Sequence, residues 1–343
     1  MSLQDYIAID TVYTRSINLE RDIGSAAIVE AYIPTTRSLY TLRKLASTFT
    51  ENDTPRSWAL IGPYGSGKSS FAVYLSHLLY GTSDNNTESV FSSLANHSQG
   101  LSEKIINYTD GTKGFVSILL TGSPDPLIPR FLSSLQKSAH AFWQNIPGPS
   151  PTIIAKIDEA LQDSTVNTHQ VVELIKMLRQ AVEKAGGAGV LIIFDELGKF
   201  LEYEARHYGT NDIYLLQSLA EMAVTGHKAN IYVFTLMHQG FEQYARGLGE
   251  ELRNEWSKIQ GRFENIPFLE STEQTLHIMS RAFKNRLTER EKNNIATNCK
   301  KIAAVLDKEK ALPGAIHKDI AADLFAQCYP LHPVAVLLLP ILC

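Results

Sequence analysis

Cysteine is scarce in this chain. Cys299, Cys328 and Cys343 have none of the short spacings that mark metal sites in a sequence. So few cysteines provide no disulfide framework, and reduced thiols are the simplest interpretation. The first residues carry acidic side chains and lack the apolar run of a secretory signal. We therefore predict a cytoplasmic protein.

Long hydrophobic runs are missing as well. The longest, from Val334 to Leu342, is interrupted by Pro340 and is too short to cross a bilayer. We therefore expect no association with a membrane. A helix this apolar needs a surface to pack against, so we expect the chain to continue beyond Cys343 into a further region.

Positive charge is not in excess either. The 32 Lys and Arg residues against 36 Asp and Glu give a formal net charge of −4, so no overall basic field indicates nucleic-acid binding. Apolar side chains, in contrast, are plentiful. They make up 44% of the 343 residues, which is enough for a substantial core.

Short apolar runs bounded by turn residues predict five β-strands. These runs are Ser57–Ile61, Phe115–Leu120, Val190–Phe194, Ile231–Leu236 and Asn265–Phe268. Helical patterns lie between them, including one apolar stripe over residues 171–182 and another over residues 213–223. Alternating strands and helices favour a mostly parallel α/β sheet.

Composition also predicts the segments between these elements. Residues 81–96 are rich in Ser, Asn and Thr and predict a loop, and residues 147–151 predict a turn between helices. After Phe268 only helical patterns follow. We therefore divide the chain into an N-terminal segment of residues 1–50, an α/β core of residues 51–270 and an all-helical subdomain of residues 271–343.

A glycine-rich stretch, LIGPYGSGKSS at residues 60–70, follows the first predicted strand. It contains the phosphate-binding pattern G-x-x-x-x-G-K-[ST] between a strand and a helix. The pattern is formed by Gly62, Pro63, Tyr64, Gly65, Ser66, Gly67, Lys68 and Ser69. Glycines let backbone N–H groups surround phosphate oxygens, and the helix N-terminus adds positive potential.

Each polar group of this stretch has a predicted role. Lys68 would bind the β- and γ-phosphates of ATP, Ser69 would offer its hydroxyl to Mg²⁺, and Ser70 would lie against the nucleotide. The alternative interpretation is a glycine-rich turn that carries a surface lysine. The length of the pattern and its position between a strand and a helix favour the nucleotide site.

An acidic pair follows the third predicted strand and would complete such a site. Asp195 would emerge at the carboxyl end of a buried parallel strand and hold Mg²⁺ through its waters. Glu196 would orient and polarise the attacking water. The alternative is that Asp195 only caps the helix that starts near Leu197.

Polar residues also end the fourth predicted strand. If that strand lies between the two motif strands, His238 or Thr235 could contact the γ-phosphate or the attacking water. The alternative is a polar group at the edge of the core whose hydrogen bonds are satisfied.

Arg262 precedes the last predicted strand. An arginine in that position can reach the nucleotide of a neighbouring subunit and stabilise charge in the transition state. The alternative is a surface arginine in an ion pair.

Taken in this order, the motifs resemble those of an AAA+-type P-loop ATPase. Upstream, Tyr32-Ile33-Pro34-Thr35 and the helical pattern over residues 37–49 are similar to the segment that holds adenine in the initiator-like and STAND branches. The resemblance implies a P-loop core, a helical lid, a homo-oligomer, and adenine contacts from Ile33 and Pro34. Many such lids carry a sensor arginine, but residues 311–343 contain none, so either His332 or Lys318 replaces it or the sensor is absent.

Two further stretches resemble the large ATPases of bacterial phage-defence islands, of the BREX type and relatives. They are DELGKFLE at residues 195–202 and YPLHP at residues 329–333. This resemblance implies an oligomeric switch or motor in an antiviral protein, with a defence effector as partner.

Two other functions remain open. One is a module in which ATP binding drives assembly with negligible turnover. The other is an ATPase that loads or remodels DNA, because residues 277–310 hold nine Lys or Arg against four acids, a net charge of +5. A small-molecule kinase fits less well, since such enzymes usually lack the Asp-Glu pair and the helical lid.

Overall fold

The computed structural model describes residues 6–13, 15–51, 54–80, 85–144, 146–207, 212–245, 249–313 and 316–342. The chain divides into two compact units. The larger comprises Ile17–Leu269, and the smaller comprises Met1–Ser16 with Glu270–Cys343. Cys343 lies outside the described residues.

Within its described residues, the larger unit is an α/β fold with five strands. They are β2 (Ser57–Ile61), β3 (Phe115–Thr121), β4 (Gly189–Asp195), β5 (Asn230–Met237) and β6 (Glu264–Pro267). All neighbouring strands pair in parallel, in the order β3-β4-β5-β2-β6. This confirms the predicted parallel sheet and places each strand within about two residues of its predicted bounds.

In the part of this unit that the structure describes, twelve helices surround or connect these strands. They are α1 (Leu19–Asp22), α2 (Ala26–Ala31), α3 (Thr36–Ser47), α4 (Lys68–Tyr80), α5 (Asn85–Thr109), α6 (Leu127–Gln144), α7 (Thr152–Gln162), α8 (Thr168–Lys184), α9 (Gly198–Arg206), α10 (Tyr214–Val224), α11 (Phe241–Tyr244) and α12 (Glu250–Gln260). The break between α6 and α7 confirms the predicted turn at residues 147–151.

Local sequence explains how several of these elements form. Every residue of β4 is buried, as expected for a central parallel strand covered on both faces. Helix α8 is capped by Asn167, whose side chain accepts from the Gln170 N–H while the Gln170 side chain accepts from the Asn167 N–H. Its apolar stripe, including Val171 and Leu178, then packs into the main core.

The prediction of a loop over residues 81–96 is wrong from Asn85 onward, and residues 81–84 lie outside the described chain. Helix α5 occupies this stretch and is interrupted at Ser98, where φ is −163°. Apolar residues lie among its Ser and Asn residues and form a stripe in which Val90, Phe91 and Leu94 are buried. Burial of that stripe outweighs the weak helix propensity of the polar residues.

Over the residues of the smaller unit that are described, four helices combine with a short strand pair. The helices are α13 (Thr272–Arg281), α14 (Glu289–Lys308), α15 (Lys318–Gln327) and α16 (Pro333–Leu342), around a core that includes Leu276 and Phe325. The strands β1 (Ile7–Ile9) and β7 (Phe283–Asn285) pair antiparallel. The prediction of an all-helical subdomain is therefore wrong, because three-residue strands are too short to show an alternating pattern.

No helix among the described residues is long and apolar enough to span a membrane.

Candidate functional site

The predicted motif residues meet at the carboxyl edge of the parallel sheet. Backbone hydrogen bonds join the ends of neighbouring strands there: Gly62 N–H donates to the Met237 carbonyl over 3.1 Å, and Leu197 N–H to that of Leu236 over 3.2 Å. Strand β5 lies between β2 and β4, as the sequence predicts. The turns that follow these three strands therefore face one another, where ligands bind in open α/β sheets.

The glycine-rich turn leaves β2 in a conformation that needs its glycines. Gly65 and Gly67 have φ values of +75° and +85°, which side chains rarely adopt. A Cβ on either would meet no heavy atom within 4 Å, so the space beside them is open. Pro63 and Tyr64 are exposed at the rim of the turn. The open concave backbone is of the kind that accepts a phosphate.

Lys68 opens helix α4 and folds back over this turn. Its ammonium group donates to the carbonyls of Gly62 and Pro63 over 2.7 and 2.8 Å and lies 3.1 Å from the Ser66 hydroxyl. Burial lowers the pKa of Lys68 to about 8, although Asp195 and Glu196 act in the opposite direction. The ammonium group of Lys68 thus lies at the glycine-rich turn, where backbone carbonyl oxygens accept its hydrogen bonds.

Asp195 ends β4 as a buried carboxylate, 3% exposed. Burial raises its pKa, while a hydrogen bond with the Ser69 side chain and the charge of Lys68 lower it. Its Oδ1 accepts from the Glu196 N–H over 2.9 Å, whereas helix α9 starts after Leu197 without a side-chain cap. Ser69 thus acts on the pKa of the carboxylate with which it is predicted to bind Mg²⁺.

Glu196 follows with an unusual backbone. Its φ is +50°, in the left-handed region that costs energy for a side chain larger than glycine. The loop after β3 touches it closely, since a Cβ on Gly122 would lie 2.1 Å from the Glu196 carbonyl oxygen. The Glu196 carboxylate forms a short ion pair with Lys199. Neighbouring segments thus fix its backbone, and its side chain has a cationic partner.

His238 is held between two tyrosines just beyond β5. Its ring stacks on Tyr64 with centroids 4.8 Å apart, and its Nδ1 lies 3.0 Å from the Tyr244 hydroxyl. It therefore has hydrogen-bond and stacking partners, and it connects the glycine-rich turn with helix α11. Thr235, in contrast, lies inside β5 with no exposed surface, so it does not reach the rim of the site.

The segment predicted to hold adenine lies beside α4. Tyr32 stacks on Tyr74 at 4.5 Å, Ile33 is half-buried, and Pro34 is buried ahead of α3. The N-cap of α3 is Thr35. Because α4 begins at the glycine-rich turn, this segment packs on the helix that carries Lys68.

Arg262 lies at the opposite edge of the sheet. It precedes Glu264, which is in register with Trp58 near the start of β2. Its guanidinium pairs with Glu221 over 3.0 Å, and both side chains are about half exposed. Counting residues along the strands, Arg262 is about 20 Å from the glycine-rich turn. It does not join its own chain's site.

The donor set fits a magnesium ion better than a metal held by protein alone. Within the described residues, no three His, Cys, Asp or Glu side chains are grouped to hold a metal ion. Mg²⁺ usually keeps several waters and takes one or two carboxylates together with substrate phosphates. Ser69 and Asp195 could supply the protein ligands of such an ion.

Sequence reasoning missed three contributors to this edge of the sheet: Gly122, Lys199 and Tyr244. Gly122 had a detectable signal, because it stands two residues after the predicted strand Phe115–Leu120. Lys199 lies three residues after Glu196, a spacing that brings side chains together on a helix. Tyr244 gave no signal, since its contact with His238 depends on the turn that follows β5.

Comparison with models of protein families gives no match, and comparison with curated proteins gives none either.

Proposed function

We propose that this protein is an Mg²⁺-dependent ATPase with a P-loop core. The observation that supports it most is the buried Asp195 carboxylate at the same sheet edge as the open glycine-rich turn, where Ser69 and Lys68 both lower its pKa. In this proposal the turn holds the phosphates and Asp195 helps to hold the magnesium ion that accompanies them. A structural turn with a surface lysine has no need of such a carboxylate.

Each residue has a distinct role in this proposal. Lys68 exchanges the Gly62 and Pro63 carbonyls for phosphate oxygens, which are stronger partners for an ammonium group. Ser69 and Asp195 hold Mg²⁺, which neutralises charge on the phosphates when it is bound. Glu196 orients a water and accepts its proton as the γ-phosphate leaves ADP.

We further propose that hydrolysis drives an oligomeric switch or motor in a bacterial antiviral defence protein. The support is the resemblance of residues 195–202 and 329–333 to phage-defence ATPases. In this proposal the smaller unit acts as the lid, and Arg262 serves a neighbouring subunit.

Two variants test the ATPase proposal. Lys68→Ala should abolish ATP binding in calorimetry, because the turn loses its full positive charge. Glu196→Gln should still bind ATP, whereas turnover should fall by about two to four orders of magnitude, as expected when a catalytic base is removed. Unchanged affinity in the first variant would refute the phosphate site, and near-normal turnover in the second would assign the water to another residue.

DNA loading or remodelling is a second candidate function, and helix α14 favours it. Arg290, Lys301 and Lys308 are exposed on the side of α14 opposite the buried Cys299 and Ala303. From Arg290 to Lys308 this line extends about 27 Å, a length suited to the phosphate backbone of DNA. Faster ATP turnover in the presence of DNA would support this function. An unchanged rate would favour the proposal of an oligomeric defence switch.

A further inference from the structure

Lys199 lies against the carboxylate of Glu196 on the solvent side of the site. Its ammonium group pairs with Oε2 of Glu196, and its backbone N–H donates to the Glu196 carbonyl over 3.0 Å. The Lys199 side chain is 47% exposed and that of Glu196 36% exposed. The pair thus lies where water has access to it.

The side chains that raise the pKa of Lys199 come from two segments. Glu196 is the main reason that the pKa of Lys199 is raised, and Tyr64 and Asp195 act in the same direction. Tyr64 belongs to the glycine-rich turn and Asp195 to the end of β4. Lys199 therefore carries its positive charge at neutral pH and faces both halves of the proposed nucleotide site.

The backbone of Glu196 has little freedom to move. Its N–H donates to Oδ1 of Asp195, and Gly122 approaches its carbonyl oxygen closely. Its φ is positive, which few side chains adopt. The direction of the carboxylate is then decided by side-chain rotation and by its partner. A catalytic base must be within hydrogen-bond reach of the proton that it removes. The pair with Lys199 occupies one acceptor position of the carboxylate and fixes its direction.

We propose that Lys199 is a positioning residue that holds the Glu196 carboxylate away from the attacking water and so restrains turnover in the resting protein. This inference rests on the proposed ATPase function. The restraint comes from one ion pair, between the carboxylate of Glu196 and Lys199 in helix α9. An anionic group that draws the ammonium away then releases Glu196 for catalysis.

The test compares steady-state ATP hydrolysis by three variants of the full chain. Lys199→Met removes the charge at nearly the same length and should raise kcat about two- to five-fold, with KM for ATP unchanged, as expected for loss of an exposed pair. Lys199→Arg keeps the pair and should retain the wild-type kcat. Lys176→Met is the matched control, because Lys176 pairs with Glu173 at the same spacing and a similar exposure.

A double variant shows whether Lys199 acts through Glu196. In a Glu196→Gln background, Lys199→Met should leave the residual rate unchanged, since no carboxylate is left to restrain. An equal rise in both backgrounds would overturn the proposal, and so would an unchanged or lower kcat of Lys199→Met in a wild-type protein that hydrolyses ATP. If calorimetry shows that the wild type binds no ATP, the proposed function itself fails, and this inference fails with it.

Discussion

Gly62 connects the glycine-rich turn to a strand outside the motif. A Cβ at this position would lie 2.2 Å from the carbonyl oxygen of Phe268 and 3.0 Å from its carbonyl carbon. Both atoms belong to backbone that is itself hydrogen-bonded, since Phe268 N–H donates to Ile61 over 2.7 Å. The first glycine of the motif is therefore required by packing, in addition to any contact with phosphate.

Gly62→Ala should accordingly destabilise the protein. We expect a loss of about 1–3 kcal/mol in the free energy of unfolding, typical of overpacking against a rigid neighbour. Chemical denaturation measures it. Gly100→Ala is the control, because Gly100 lies in α5 with no heavy atom within 4 Å of an added Cβ. That change should be neutral or stabilising, and equal losses in both variants would contradict the packing argument.

Single residues also mark the limit of what sequence predicts. The glycine-rich pattern with Gly62 and Lys68 and the acidic pair Asp195-Glu196 predict a candidate site, and the strand order brings them to one edge of the sheet. Arg56 gave no such signal, although it is fully buried. Its guanidinium donates to backbone carbonyls at the ends of α3 and α10, including Val224 over 2.9 Å. Its partners are brought together only by the fold, so no local pattern records them.

Among the elements, helix α6 has an N-terminus capped from a distant part of the chain. The Asp212 carboxylate accepts from the Ile128 N–H over 3.1 Å and is almost completely buried. Burial raises its pKa above 3.8, against the hydrogen bonds from Leu127 and Ile128, which lower it. The carboxylate therefore costs free energy in the folded state although it caps a helix.

This balance predicts a pH dependence. A carboxyl whose pKa is raised on folding binds its proton more tightly in the folded state, so its contribution to stability falls as pH rises from 3.8 through the folded-state pKa. Asp212→Asn keeps an oxygen for the cap and removes the charge. Thermal unfolding should show a gain in stability at pH 7 that disappears near about pH 3, below the ordinary pKa.

Asp163→Asn provides the control of opposite sign. Hydrogen bonds from Thr165 lower the pKa of this exposed carboxylate. Its contribution is therefore present above 3.8 and is lost as pH falls through the folded-state pKa. Asp163→Asn should lose stability at pH 7, and the same sign of change in both variants would contradict the assignment of Asp212.

Strands and helices with long apolar patterns were easier to predict from the sequence than those with short ones. The apolar runs of β4 and β5 and the stripe of α8 were long enough to identify type and position. The start of helix α5 was predicted as a loop because its Ser, Asn and Thr content is typical of loops, although the helix carries an apolar stripe. Strands β1 and β7 were missed because each has three residues and its partner lies at the other end of the sequence.

For the whole molecule, the position of Arg262 leads to a prediction about assembly. Its distance from its own glycine-rich turn, at the opposite edge of the sheet, leaves a neighbouring subunit as the place where it could act. The ion pair with Glu221 is about half exposed and worth about 0–1 kcal/mol, so it opens at little cost. Arg262→Ala should bind ATP but turn it over very slowly, by about three to five orders of magnitude if it is an arginine finger.

Mixing inactive variants tests action between subunits. Arg262→Ala and Glu196→Gln should each be nearly inactive, and together they should recover part of the activity, because some interfaces pair two intact residues. Native mass measurement must first show mixed assemblies. Glu221→Ala is the control and should retain turnover. If mixed assemblies form and activity does not recover, Arg262 is a surface ion-pair residue. The same conclusion follows if a dilute wild-type monomer is fully active, with or without DNA.

The strand order also has a consequence for the newly made chain as it leaves the ribosome. Strand β2 carries the glycine-rich turn, yet its two neighbours, β5 and β6, are synthesised long after it. A nascent chain that ends before Asn230 already contains Lys68, Asp195 and Glu196, but it lacks β5, the strand that pairs with both β2 and β4. Pairing over such long sequence separations is slow. The capacity to bind a nucleotide should therefore arise late in translation, and a chain interrupted before β5 should be released without it.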